Sequence, residues 1–133
     1  MHAHLDSITP FFIVGDVPPT MAFYCDQLGF EVAFQAPREG PFFAIVRRDE
    51  VQVMLKAVAD DVPSLPNWKR HPWAPWDAFV YVAEPDALAE EFQSRGVAFR
   101  APLADTNDGL RGFEVEDPDG HVLFFGRPLA QSQ

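Results

Sequence analysis

The chain has 133 residues, 47% of them hydrophobic and 14% aromatic, which is enough for a packed core in one domain or two small fused modules. Its formal charge of −10 disfavours nucleic acid as a partner, because binding to phosphate depends on cationic side chains. Since the chain has one cysteine, no membrane-length apolar run and no secretory-type N-terminus, we expect a cytoplasmic protein with no membrane partner.

A strand, a helix and three further strands are predicted for the first module, residues 7–56. Apolar and β-branched residues predict a strand at 7–14, and Asp16 followed by two prolines predicts the start of a helix. That helix should run to about Leu28 and end at Gly29. Its expected buried stripe is Met21, Tyr24, Cys25 and Leu28. Alternating residues predict strands at 30–35, 42–47 and 51–56.

A linker at 57–76 precedes a second module at 77–127 that repeats this order. The linker holds four prolines and three tryptophans, of which Trp68 and Trp73 are expected to pin it to the sheet. In the second module the sequence predicts a strand at 77–82, a helix from Pro85 to about Gly96, a strand at 97–100 and a polar loop at 103–109. A hairpin follows at 111–116 and 121–125, since Asp-Pro-Asp-Gly at 117–120 is a strong turn sequence.

The two modules align with small offsets, which indicates an internal repeat. Residues 9–14 align with 77–82, Gly29 with Gly96, and Met54 with Phe124. Because side chains two apart share a face of a strand, one face of each sheet is predicted to be uniformly apolar and to lie under the helices. The other face mixes aromatic and polar side chains, as a ligand cavity does, and Glu114 falls on that face.

Three segments together resemble the vicinal oxygen chelate superfamily, which includes glyoxalase I, extradiol dioxygenases and bleomycin-resistance proteins. They are FYCDQLGF at 23–30, VQVML at 51–55 and FEVEDPDGHVLFF at 113–125. ITPFF at 8–12 and VQVMLK at 51–56 are most similar to the bleomycin-resistance branch. The resemblance implies an α+β fold in which two βαβββ modules form curled mixed sheets around a cleft. It also implies a homodimer.

The same resemblance implies where a metal would bind in the metal-dependent members. The four positions that carry His, Glu or Gln in those proteins are Thr9, Met54, Asp77 and Phe124 here. Phe124 has no donor atom, a thioether suits divalent zinc or iron poorly, and only Asp77 is a good ligand. We therefore expect no metal and no cofactor, and we do not transfer the glyoxalase or dioxygenase chemistry.

Our leading hypothesis is a protein that sequesters an aromatic or cationic small molecule without turning it over. We expect the ligand to contact Thr9, Phe11, Phe43, Gln52, Met54, Trp76, Asp77, Phe79, Glu114 and Phe124. Two alternatives remain open. One is a metal-dependent lyase, isomerase or dioxygenase with a displaced site drawn from Asp77, Glu114, His71 or His121. The other is a module that serves only as an interaction partner for another protein.

Overall fold

A computed structural model describes residues 1–129, which form two four-stranded mixed sheets with few helices. The first sheet contains β1 (Phe11–Ile13), β2 (Glu31–Ala36), β3 (Phe43–Arg48) and β4 (Val51–Lys56). Helix α1 (Val17–Ala22) follows β1 and continues as a π-helical segment, Phe23–Gln27. The strand order is β1-β4-β3-β2, with β1 parallel to β4 and the other pairs antiparallel.

The second sheet repeats this topology. It contains β5 (Ala78–Tyr81), β6 (Ala101–Asp105), β7 (Leu110–Glu116) and β8 (Val122–Pro128), in the order β5-β8-β7-β6. Helix α3 (Pro85–Ser94) follows β5, and a short helix α2 (Asn67–Arg70) lies between the two sheets in sequence. The register repeats as well, since Phe11 lies opposite Met54 and Phe79 lies opposite Phe124. The predicted α+β class and the two-module architecture are confirmed.

Several predicted boundaries are wrong, most clearly the strand predicted at 97–100. These residues are not in a strand, because Gly96 has a φ of +82° and Val97 turns back to donate a hydrogen bond to the Phe92 carbonyl. The strand is β6, four residues later, and it overlaps the start of the polar loop predicted at 103–109. Pro102 is tolerated there because β6 is an edge strand with a register shift. β1 is also shorter than predicted, with three residues.

Each sheet has one face under the helices, here called the helix face, and one opposite face, here called the open face. Of the nine residues predicted on the helix face, Pro10 and Val82 are half-buried and the other seven are buried: Phe12, Val14, Val53, Leu55, Val80, Leu123 and Phe125. They form one continuous core with the helix residues, which include Tyr24, Leu28 and Phe92. Because the two modules share this core, their open faces point away from it. Within residues 1–129 no helix is long and apolar enough to cross a membrane.

The turn between β7 and β8 joins the second module to the first. Asp119 accepts hydrogen bonds from the Gly15 amide at 2.7 Å and from the Thr20 hydroxyl at 2.5 Å. Asp117, whose side chain is fully buried, accepts one from the Tyr24 hydroxyl at 2.9 Å and others from the amides of Asp119 and His121. Burial, with the Asp117 carboxylate beside it, raises the pKa of Tyr24 well above its usual value.

The turn between β3 and β4 makes the corresponding contact in the opposite direction. Arg48 donates two hydrogen bonds of 2.9 Å to the Glu91 carboxylate on α3. Glu91 precedes Gly96 by five residues, as Tyr24 precedes Gly29, so the two contacts use the same position of each module's helix. The Arg48 guanidinium lowers the pKa of Glu91. The modules are therefore joined reciprocally, each hairpin turn reaching the other module's helix.

We expect Asp117→Ala to lower the free energy of unfolding by about 2–4 kcal/mol, because it leaves the buried Tyr24 hydroxyl without its acceptor. Tyr24→Phe should cost less, about 1 kcal/mol, since Asp117 keeps its two amide donors. Asp60→Ala, in an exposed loop, is the matched control and should change stability by less than about 0.5 kcal/mol. Urea unfolding measures all three, and equal effects for the three variants would contradict this account.

Candidate functional site

Three aromatic side chains form a shelf on the open face of the second sheet. The Phe79 and Phe124 rings stack with their centroids 5.2 Å apart, and the Trp76 ring lies over Phe124 at 4.3 Å. Phe124 is 2% exposed, although it lies on the open face, because Trp76 covers it. Contacts of this kind contribute about 0.5–1.5 kcal/mol per pair beyond burial, so the shelf is a rigid apolar platform.

Two glycines beneath Phe124 allow its ring to lie flat on the sheet. Gly112 and Gly126 lie opposite each other on β7 and β8. A Cβ added at either position would lie 2.6 Å from Cε1 of Phe124 and still closer to a backbone carbonyl oxygen. Any side chain there would therefore displace the ring or the backbone. The glycine pair thus sets the height of the aromatic shelf above the sheet.

A carboxylate fixes the orientation of Trp76. The indole Nε1 donates to Oε2 of Glu114 at 2.8 Å, and Arg100 donates to Oε1 of the same carboxylate at 2.5 Å. Glu114 lies opposite Phe124 in the sheet, so the acid and the shelf share one face as predicted. Because both carboxylate oxygens already accept hydrogen bonds, Glu114 positions the tryptophan rather than presenting a free charge.

A slot of about 510 Å³ opens beside this shelf. Its floor is Gly112, Phe124 and Glu114, one wall is the loop at 73–76, and the other wall is β6 with Ala101, Pro102 and Ala104. Trp73 stands at the rim with 89% of its surface exposed. The mostly apolar lining and slot-like shape suit a flat ring, and the volume lies within the usual range for small-molecule sites.

A second cleft of about 530 Å³ lies between the two modules. Thr9, Gln52, Asp77 and Phe79 line it together. Asp77, however, accepts hydrogen bonds from the amides of Asn67 at 3.0 Å and Val122 at 2.9 Å, one on each carboxylate oxygen. This carboxylate therefore ties the linker to the start of β8. Of the other predicted ligand-contacting residues that line the cleft, Thr9 and Gln52 are polar.

The open face of the first sheet is aromatic and exposed. Phe43 lies 6.3 Å from Phe11 and 6.1 Å from Phe34 between ring centroids, and Met54 lies between β1 and β3 on the same face. Phe11 is 56% exposed and Phe34 is 53% exposed. No segment of residues 1–129 covers this face as the linker covers the second sheet. The two open faces therefore differ although the folds repeat.

The predicted ligand-contacting residues thus fall into three groups. The slot brings together Trp76, Glu114 and Phe124, and the inter-module cleft brings together Thr9, Gln52, Asp77 and Phe79. Phe11, Phe43 and Met54 lie on the open face of the first sheet.

Sequence reasoning missed two features of the slot. Trp73, expected to pin the linker, is exposed at its rim, whereas Trp68 does pin the linker by donating to the Gly120 carbonyl at 2.7 Å. Arg100, the second partner of Glu114, was assigned to the misplaced strand and given no role. Arg100 lies directly before β6, and β6 pairs with β7, which carries Glu114. Correct strand boundaries would therefore have indicated that Arg100 lies close to Glu114.

The residues at the implied metal positions do not fit a metal site. Thr9 and Asp77 line the inter-module cleft, whereas Phe124 is covered by Trp76 and has no donor. The donors considered for a displaced site are also dispersed: His121 is buried against Phe12 with ring centroids 4.2 Å apart, and His71 is exposed on the linker. Among residues 1–129, no three His, Cys, Asp or Glu side chains are grouped so that they could hold an ion.

Comparison with known proteins identifies relatives of this architecture. The family model described as the Glyoxalase/Bleomycin resistance protein/Dioxygenase superfamily matches residues 4–125. A search of curated proteins found no significant match.

Three solved structures are similar over nearly the whole chain. The bleomycin-binding protein from bleomycin-producing Streptomyces verticillus, complexed with copper(II)-bleomycin, is 26% identical with a TM-score of 0.69, over 98% of this chain and 100% of its own. A second bleomycin-binding protein, complexed with bleomycin, is 20% identical with a TM-score of 0.69, over 92% and 98%. Lactoylglutathione lyase from Agrobacterium tumefaciens is 17% identical with a TM-score of 0.64, over 92% and 93%. The last two support the fold alone.

We expect Gly112→Ala to lower the free energy of unfolding by about 1–3 kcal/mol, because the new methyl group overlaps the Phe124 ring and the neighbouring strand. The displaced ring should also change the emission of Trp76, whose ring centroid lies 4.3 Å from that of Phe124. Gly15→Ala is the matched control, since its Cβ would meet nothing closer than 3.5 Å, and it should cost less than about 1 kcal/mol. Urea unfolding followed by tryptophan fluorescence tests this, and equal losses in the two variants would contradict it.

Proposed function

Because this chain belongs to the glyoxalase/bleomycin resistance protein/dioxygenase superfamily, we propose that it binds a small aromatic or cationic molecule, without a metal and without turning it over. Its action would be sequestration of an antibiotic-like compound in the cytoplasm. The observation that carries this proposal is the slot beside the Trp76–Phe124 shelf, where a flat ring can lie against aromatic and glycine surfaces. The likeness to the Streptomyces verticillus bleomycin-binding protein supports the same ligand class.

The chemistry of the slot supports binding rather than catalysis. Its central acid, Glu114, accepts a hydrogen bond on each oxygen, from Trp76 and from Arg100, so its role in the slot is to hold the indole in place. Its aromatic groups offer stacking and dispersion, which hold a ring without activating it. The net charge of −10 adds a long-range attraction for cationic compounds and repels anionic ones.

The proposal includes a homodimer. The open face of the first sheet exposes Phe11, Ile13 and Phe34 by 37–56%, and Leu5 and Ile8 of the N-terminal segment are almost fully exposed. Contiguous apolar exposure of this kind marks a protein interface or a ligand groove. A second copy presenting the same faces would cover this surface and turn the open clefts into deeper ones. The ligand would then contact both sheets, including Phe11, Phe43 and Met54.

Metal-free bleomycin is the first probe for the ligand proposal, followed by a panel of cationic aromatic compounds. We expect a saturable change in tryptophan fluorescence, because Trp73 and Trp76 border the slot. Trp73→Ala should weaken binding by roughly threefold to tenfold, since one stacking contact at the rim is lost. Leu65→Ala, at another exposed apolar position of the linker, is the control and should leave the affinity unchanged. Unchanged fluorescence with every probe would reject the proposal, and one metal ion per chain in untagged protein would favour the enzyme alternative instead.

Sedimentation equilibrium tests the dimer. The wild-type protein should sediment at twice the chain mass of 14.9 kDa at micromolar concentrations. Phe34→Glu should shift it to the monomer mass, because a charge is then buried in the apolar interface. Val58→Glu places the same charge at a similarly exposed position on the linker and should leave the dimer intact. A monomeric wild-type protein, or a dimer that survives Phe34→Glu, would contradict this arrangement.

A further inference from the structure

Side chains fill the space around the two reciprocal contacts between the modules to different extents, and a pocket remains beside the Arg48–Glu91 contact. The connection between β7 and β8 is five residues long, 117–121, and it places His121 against Phe12 with parallel rings. The connection between β3 and β4 has only Asp49 and Glu50. The shorter turn reaches α3 through Arg48 but carries no ring to fill the space beside β5. A pocket of about 340 Å³ remains there, next to the inter-module cleft, with which it shares Glu50, Val51, Val80 and Tyr81.

The base of this pocket is apolar. It is formed by side chains of both modules: Phe30, Val51, Val80, Val82, Leu88, Phe92 and Phe125. Phe92 and Phe125 are 0% and 2% exposed, with their rings edge to face at 5.3 Å, so the base belongs to the rigid core. Its volume lies at the lower end of the range for small-molecule sites, which limits an occupant to one or two rings.

The other lining residues carry polar groups: Arg48, Asp49, Glu50 and Tyr81. Arg48 is committed to the Glu91 carboxylate and to the Leu28 carbonyl, both at 2.9 Å, and Asp49 lies 3.9 Å from the Arg48 Nε. Glu50, on the same turn, forms no hydrogen bond or ion pair within residues 1–129. Its carboxylate can only accept hydrogen bonds, so it would recognise an occupant that carries an N–H or O–H donor.

We propose that this pocket is a second ligand site, which takes a one- or two-ring aromatic compound with a donor group, the ring against Val51, Val82 and Leu88 and the donor directed to Glu50. The slot beside Trp76 lies on the open face of the second sheet, whereas this pocket lies at the junction of the helix faces, and Trp76, Glu114 and Phe124 do not line it. An occupant would contact β4 of one module and β5 and α3 of the other. It would therefore hold the modules together.

Indole is the probe, because it has two rings and one N–H. In methyl-labelled wild-type protein, titration with indole should shift the resonances of Val51, Val82 and Leu88 in a saturable way. Val51→Trp and Leu88→Trp should each weaken indole binding by about tenfold or more, because the new side chain fills the pocket. Two half-buried positions are used so that failure of one variant to fold does not remove the test. Val32→Trp, on β2 and outside the pocket, is the control and should leave the affinity within about twofold.

The role of Glu50 is tested by benzofuran, which has the shape of indole but lacks the N–H. Benzofuran should bind roughly threefold to tenfold more weakly than indole to the wild type, because the hydrogen bond is lost. In Glu50→Ala the two probes should bind equally. The proposal is overturned if indole shifts none of these methyl groups, or if both blocking variants bind indole as the wild type does. Equal binding of both probes to the wild type would overturn the donor requirement. A failed bleomycin titration would leave this site unaffected, since Trp76 is not part of it.

Discussion

The structure depends on the buried carboxylate of Asp117, which receives the Tyr24 hydroxyl of the other module and the amides of its own turn. With the Arg48–Glu91 pair on the opposite side, it holds the helix faces of the two modules against each other. The positions of the two open faces follow from that orientation. Once the apolar helix faces are joined, the other face of each sheet must point outward, and the aromatic side chains on it become available to ligands or to a second copy.

Two copies of one supersecondary unit have acquired different surfaces on this common frame. In the second sheet, Gly112 and Gly126 leave room for the Phe124 ring, and the linker lays Trp76 over it. In the first sheet, Phe11 and Phe34 remain uncovered. The two hairpin turns differ as well. The β7–β8 turn is long enough to place the His121 ring against the first module, whereas the β3–β4 turn is shorter and leaves a pocket. The fold repeats, and the slot and the smaller pocket lie where the two modules differ.

The fold was predictable because it depends on patterns within single elements. The alternation of apolar side chains identified Phe12, Val53 and Leu123 as core, and the Gly29–Gly96 correspondence exposed the repeat. The strand predicted at 97–100 was wrong because Val97 turns back to the Phe92 carbonyl, and the position of β6 at the sheet edge, which makes Pro102 acceptable, is not visible in the local sequence. The contacts within the candidate site were harder to predict from the sequence. That Asp77 bonds two backbone amides, and that Arg100 shares Glu114 with Trp76, depends on contacts between residues distant in sequence, which no local pattern specifies.

The flat ring of Phe124 also constrains what this scaffold can become. The family resemblance aligns it with a position that carries a ligand in metal-dependent members, but here the ring rests on two glycines and lies under Trp76. A histidine introduced there would lose both contacts and would still lack partners at Thr9 and Met54. That substitution would therefore remove packing before it added any coordination. The packing of the aromatic shelf therefore opposes the introduction of a metal ligand at position 124.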